Sequence, residues 1–292
     1  MFFILWYNKK HKEKYMRRLD TETIIVPLGE AIEKALMNVE SSADALLKGA
    51  LERESGTAAK WALSRLVENN ETARKCNAFA CQDTGLAVVF AEVGQELILE
   101  GKLLGDAVNE GVELGYREAR KSVADPLTRL NTRTNTPAVL HTEIVGGDRL
   151  KLTYLAKGAG SENMSKVYML TPSKGRKGII DSVLDCVIAA GANPCPPIIL
   201  GVGIGGTMEK AALLSKKALT RESGKRSDNA DIAALEDEIL SAVNSSGIGA
   251  QGFGGDTTAL AVAVETYSTH IGMLPVAVNV QCHSVRHVTL IF

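Results

Sequence analysis

Aromatic residues are scarce in this chain, at 5% of 292 residues, and only two of them are tryptophan. So thin a supply disfavours the stacking platforms on which unpaired bases are bound. No sign of charge dominates: 33 lysines and arginines face 34 aspartates and glutamates, so no overall field points to nucleic acid or an anionic membrane. Long apolar runs are missing as well. The apolar start Met1–Tyr7 gives way to Lys9, Lys10, Lys12 and Lys14, too short for a membrane span and with a signal peptide's charge order reversed. Met16-Arg17-Arg18-Leu19 reads as an equally natural beginning. Residues 1–20 are therefore expected to be an N-terminal extension, possibly from a mis-set start for 1–15, and 21–292 one domain. Cysteines are few and never closely paired. Cys76, Cys81, Cys186, Cys195 and Cys282 are odd in number and widely spread, which argues against a disulfide framework and fits a reducing, cytoplasmic setting.

What is present suits a buried core. Hydrophobic residues make up 45% of the chain, and the mean hydropathy is +0.02. Helical spacing runs from about Leu28 to Glu54, with a break and N-cap at Ser41-Ser42-Ala43-Asp44, and again from Thr57 to Glu68. A further helix is expected over Gly101–Lys121. Its basic end either compensates the helix macrodipole or aims an arginine at an anionic substrate. His141 to Val145 and Leu150 to Tyr154 alternate as strands, joined across Gly146-Gly147-Asp148 as in a hairpin. Helices over Gly178–Ala190, Met208–Leu219 and Ala233–Val243 alternate with strands at Ile198–Val202, Ala259–Val264 and Leu274–Val280. The whole reads as an α/β fold, a helical N-terminal region followed by a mixed α/β domain with glycine-rich loops at strand ends. Gly203-Ile204-Gly205-Gly206-Thr207 does not give the spacing of a dinucleotide loop, and no Gly-Lys-Ser/Thr follows. Tight strand-to-helix packing is its better reading.

The chemistry gathers at strand edges. Cys81-Gln82-Asp83-Thr84-Gly85 places a thiol, an amide, a carboxylate and a hydroxyl before the apolar run Leu86–Phe90. Lys157-Gly158-Ala159-Gly160-Ser161-Glu162-Asn163 is a glycine-rich polar loop that can bring backbone N–H groups to an anion. Cys195 stands on a stiff turn between Pro194 and Pro196-Pro197, and Cys282 closes the strand ending in Gln281. Structural zinc cysteines come in close pairs. Single thiols on separate loops suit a cofactor at the meeting point of strand ends, and three thiolates on a 4Fe–4S cluster would leave one iron open to act as a Lewis acid.

The strings CQDTG, KGAGSENMS, NPCPPIILGVGIGGTMEKAALLSKKAL and GAQGFGGDTTALAVAVETYSTHIGMLPVAVNVQCH resemble the α subunit, or N-terminal domain, of the iron–sulfur class I fumarases and tartrate dehydratases. The resemblance covers about Val26 to the end of the chain. It implies a 4Fe–4S cluster on Cys81, Cys195 and Cys282, and a substrate pocket lined by Gln82, Asp83, Arg120 and Gly160. His270 would be an active-site histidine, assisting proton movement with Asp83. Ala159 stands where the family usually has a third glycine. The implied activity is reversible hydration of fumarate to L-malate, with L(+)-tartrate dehydration as the alternative. A separate β subunit would complete the site, in a higher oligomer of αβ units.

Two readings from other classes stand beside it. One is a non-catalytic redox-sensing iron–sulfur protein, although an electron-transfer cluster normally has full cysteine ligation. The other is a thiol enzyme with Cys81 or Cys195 as nucleophile and His270 as base, which would act without iron.

Overall fold

A computed structural model describes residues 16–292, so the expected extension lies outside the described residues over 1–15. Arg17–Asp20 forms strand β1, which pairs in parallel with β3 (Leu97–Glu100). Three helices follow β1: α1 (Ile25–Met37), α2 (Ser41–Arg53) and α3 (Thr57–Cys76). Pro27 sits in the first turn of α1, where a missing N–H costs nothing.

Two four-stranded mixed sheets form the body. The first runs β10 (His287–Ile291), β5 (Leu150–Lys157), β2 (Leu86–Gly94), β4 (Val139–Val145), antiparallel except for the β2–β4 pair. The second runs β6 (Lys166–Leu170), β9 (Leu274–Cys282), β7 (Ile198–Gly205), β8 (Ala259–Tyr267), again with one parallel pair, β7–β8. The observed class is thus the expected mixed α/β fold with a helical N-terminal stretch. The expected hairpin is corrected. β4 and β5 are both strands, but β2 lies between them, with Val89 opposite both Tyr154 and Leu140. The reason is burial: β2 is apolar on both faces and needs a partner on each side, whereas β4 is largely exposed and suits an edge.

Alternation along the strands sorts side chains into three cores. Ala87, Val89 and Ala91 of β2 pack with α1 and α4 (Leu104–Gly115), while Val88 and Phe90 face α2, α3 and the second sheet. In β7, Ile198, Leu200, Val202 and Ile204 pack against α6 (Gly175–Ala190) and α8 (Ala230–Asn244). The other face of β7 is glycine from Gly201 onward, and α7 (Met208–Ala218) lies directly on it. A Cβ on Gly201 would stand 2.0 Å from Ser215 O, and one on Gly203 2.0 Å from Ala211 O. Those glycines set how near α7 comes to the sheet, and at Gly203 this agrees with the packing reading of Gly203-Ile204-Gly205-Gly206-Thr207. Helix ends follow local chemistry. Asn229 Oδ1 accepts from Asp231 N and Ile232 N at the start of α8, and Gly191 at φ +54 closes α6. Among the described residues no helix is long and apolar enough to cross a membrane.

Candidate active site

The loop before β2 is held from below. Thr84 is buried, its Oγ1 donates to Arg120 O at 2.9 Å, and its carbonyl accepts from Tyr116 Oη at 3.1 Å. Tyr116 Oη and Tyr154 Oη are 2.6 Å apart, and burial pushes the Tyr116 phenol up to about 12, so both stay neutral. Gly85 turns the chain at φ +80, where a Cβ would stand 2.9 Å from Lys157 N; only glycine fits. Above this support the Asp83 carboxylate is fixed at both oxygens. Oδ1 accepts from Gly85 N at 3.0 Å and Oδ2 from Ala159 N at 2.8 Å. The expected glycine-rich loop is itself a single helical turn, α5 (Ala159–Glu162), and Asp83 caps its start.

Asp83 lines a cleft of about 450 Å³ at the edge of the first sheet, where Leu86 and Val88 of β2 form part of its floor. Its other walls come from β4 (Val139, His141), the end of β5 (Lys157), α5 (Ala159, Glu162), α7 (Lys216) and the loop carrying Ser122 and Arg129. Lys157 is 3% exposed, and its ammonium spans the two sheets. It donates to Ser161 Oγ at 2.8 Å and to Val280 O at 2.8 Å, and faces Glu162 Oε2 at 3.3 Å. Burial pulls this ammonium down to about 8 against the opposing pull of Glu162, with Lys216 adding to the fall. Lys216 pairs with Glu162 Oε1, and Asn279 Nδ2 reaches Glu162 Oε2 at 3.3 Å. Burial works against ionisation of Glu162, but Lys157 and Lys216 hold its carboxyl below the ordinary range. His141 stacks on Phe90 with ring centroids 5.2 Å apart, and burial and then Lys216 lower its pKa. It also walls a second cavity of about 300 Å³ beside the first.

Of the residues singled out in the sequence, Asp83 lines the cleft. Gln82 is exposed beside it, and Gly160 is exposed on α5 next to Ala159. Arg120 is exposed, and it is its carbonyl that ties to this loop, accepting from Thr84 Oγ1 and from Asn135 Nδ2 at 2.9 Å. His270 lies in a separate cavity of about 380 Å³ with Arg176 and Thr269, its Nδ1 accepting from Gly272 N at 3.0 Å. The histidine of the Asp83 cleft is His141. Lys157, Glu162 and Lys216 also went unnoticed as site residues. The only signal was that Lys157 and Glu162 flank the glycine-rich string.

The cysteines require a correction. All five are free, and among the described residues no group of three or more His, Cys, Asp or Glu side chains is gathered to hold a metal ion. The 4Fe–4S site expected on Cys81, Cys195 and Cys282 is therefore not present as a ligand set, and the redox-sensing alternative that rested on it goes too. Each thiol stands at a different strand end. Cys195 is exposed at φ +55, while Cys81 and Cys282 are half-buried, with Cys282 Sγ directed at Ser284 O at 4.0 Å. Burial pushes Cys195 and Cys282 up toward the neutral thiol, and the charge of Cys81 adds to both shifts. The Cys195 turn is instead tied to the 247–258 segment, since Gln251 donates from N and Nε2 to Pro196 O at 2.8 and 2.7 Å.

Residues 27–291 match the family described as fumarate hydratase (Fumerase). The chain is 40% identical over 265 residues to the putative L(+)-tartrate dehydratase subunit alpha of Methanocaldococcus jannaschii, covering 88% of this chain and 93% of the relative. It is 32% identical over 250 residues to the L(+)-tartrate dehydratase subunit alpha of Escherichia coli K12, covering 84% of this chain and 82% of the relative. The Shigella sonnei protein of the same name matches equally, at 32% over 250 residues. On a match that runs from α1 through β10, this chain belongs to the fumarate hydratase (Fumerase) family.

Proposed function

We propose that this chain is the α subunit of a hydro-lyase that eliminates water from a hydroxylated dicarboxylate, with L(+)-tartrate as its substrate. The observation that carries the reading is the cleft itself, where Lys216 and Arg129 stand with the fixed carboxylate of Asp83. The names of the relatives support tartrate over fumarate. The name of the family supports fumarate hydration to L-malate as the second reading.

A dicarboxylate dianion entering this cleft meets cations on two sides, Lys216 from α7 and Arg129 from the loop after α4. Charge-assisted hydrogen bonds to its carboxylates would fix which carbon faces Asp83. Asp83 is held rigidly by two backbone N–H donors yet keeps free lone pairs, which suits it to take the proton from the carbon beside a carboxylate. The C–H electron pair then forms the double bond as the C–O bond to the adjacent carbon breaks, and the departing hydroxide takes the proton that Asp83 removed, so that water is released and Asp83 returns to its carboxylate. From tartrate the product is an enol that settles to the 2-keto acid. Gln82 and Arg120 are assigned to substrate contact at the mouth, and Gly160 to approach by its backbone. His270 lies outside the cleft, and His141 within it. A separate β subunit, an oligomer of αβ units and a cytoplasmic setting belong to the same proposal, supported by relatives that are themselves called alpha subunits.

The test is turnover by the chain together with its β partner. Keto-acid formation from L(+)-tartrate is expected to exceed fumarate hydration. Asp83→Asn is expected to lower kcat about 10²- to 10⁴-fold with the thermal midpoint little changed. A folded complex that turns over neither substrate would overturn the reading.

A further inference from the structure

We infer that Glu162 is the specificity-determining residue of the cleft, accepting a hydrogen bond from a substrate hydroxyl and so favouring hydroxylated dicarboxylates over bare ones. The inference rests on the proposed dicarboxylate hydro-lyase reading and deepens it.

A site for dianions gains nothing from a second carboxylate unless that carboxylate has work to do, because like charges repel most strongly out of bulk water. Glu162 nevertheless lines the same cleft as Asp83, with its side chain 40% exposed toward it. It is also kept ionised by design. Lys157 faces Oε2, Lys216 pairs with Oε1, and Asn279 Nδ2 lies 3.3 Å from Oε2. Lys157 is spent on this task, since Ser161 Oγ, Val280 O and Glu162 occupy the donors of its buried ammonium. An ionised carboxylate accepts only and has about four lone-pair positions. Three neighbours leave room for one more donor, and the open side is the cleft. Fumarate and succinate are dianions with no donor to offer, so at Glu162 they meet repulsion alone. A substrate with hydroxyls on its carbons offers the missing O–H. The chemistry that fits is a 2,3-dihydroxy dicarboxylate, and a 2-hydroxy dicarboxylate less completely.

The test separates specificity from mere support by asking for opposite changes. Calorimetric titration of the αβ complex with D-tartrate, the enantiomer of the proposed substrate, and succinate, which has no hydroxyl to lose, should rank D-tartrate tighter. Glu162→Gln removes the charge and keeps the shape, so D-tartrate binding is expected to weaken about 10- to 100-fold while succinate binding tightens. The ratio of kcat/KM for L(+)-tartrate over fumarate should fall by at least about tenfold in the same variant. If Glu162→Gln fails to fold, Glu162→Asp keeps the charge and should retain the wild-type ranking of the two ligands. Weakening of both ligands by the same factor, or no change in either, would overturn the assignment. A wild-type complex with no hydro-lyase activity would instead overturn the reading on which it rests.

Discussion

Replacing Gly203 by alanine should cost both stability and activity through one displacement. The added Cβ would stand 2.0 Å from Ala211 O, 2.6 Å from Ser215 N and 2.9 Å from Leu214 Cβ. Two of those three atoms are backbone of α7, so no rotamer change relieves the clash. A carbon and an oxygen need roughly 3.2 Å or more, so the helix must retreat by more than about 1 Å. That retreat loosens Ala211, Leu214, Ser215 and Ala218, all buried against the sheet. Overpacking of this kind costs about 1–3 kcal/mol and sometimes more, and a backbone clash on a sheet belongs at the upper end. Against a total stability of about 5–15 kcal/mol this is a large loss. The same shift carries Lys216 away from Glu162, so tartrate turnover should fall further than the folded fraction does. Urea unfolding should show a lower midpoint at unchanged slope. Gly146→Ala is the control, since nothing lies within 4 Å of its Cβ and its φ is not positive; it should stay within about 0.5 kcal/mol. A Gly203→Ala protein within about 1 kcal/mol of wild type would refute the claim that glycine sets the α7–sheet distance.

Three further outcomes are expected. Tyr116→Phe leaves Tyr154 Oη buried without its 2.6 Å partner and removes the bond to Thr84 O, costing about 1–3 kcal/mol, while the double Phe variant recovers part of the loss in a thermodynamic cycle. Glu40 is held down to about 2: burial opposes its ionisation, but His287, Ser223 and Ser42 outweigh it. A depressed carboxyl contributes stability above its unfolded value near 4.5 and loses it as pH falls toward 2. Acid unfolding should therefore steepen across that window by up to about 3 kcal/mol, and Glu40→Gln should flatten it. Lys157 has the opposite sign. Between about 8 and 10.5 the unfolded chain binds more protons, so this group makes stability rise with pH there, and Lys157→Met should remove that rise in unfolding followed by circular dichroism.

Much of the local structure was readable from the chain. The apolar periodicities of α6 and α8 led to helices within a few residues of those observed, and Gly203-Ile204-Gly205-Gly206-Thr207 read as tight strand-to-helix packing, which the Gly203–α7 contact bears out. The Gly101–Lys121 helix came out shorter, ending at Gly115, because the chain turns at Tyr116 to place that ring under Thr84. The β4–β5 hairpin failed for a different reason. Alternation shows that a segment is extended but not which strand lies beside it, and the turn residues Gly146-Gly147 close as readily over an intervening strand. Asp83 was legible because a polar cluster against an apolar strand is conspicuous. Lys157, Lys216 and His141 were not, because each sits in an ordinary amphipathic pattern on a different element.

The histidines make the same point. His141 and His270 each stand beside a strand-like run, and nothing local separates them. In the folded chain the register of Phe90 with His141 turns one imidazole into the Asp83 cleft, while His270 falls beyond the far end of β8. The sequence alone determined that α1, α2, α3, α6, α7 and α8 are helical, that β2, β7, β8 and β9 are extended, and that Asp83 belongs to a polar loop, since these follow from local periodicity and covalent neighbours. The gathering of Lys157, Glu162, Lys216 and His141, and the absence of a gathered metal-ligand group among the described residues, were decided only by how the two sheets and α7 pack. Those distances are set by burial between elements remote in the chain, which no local pattern records.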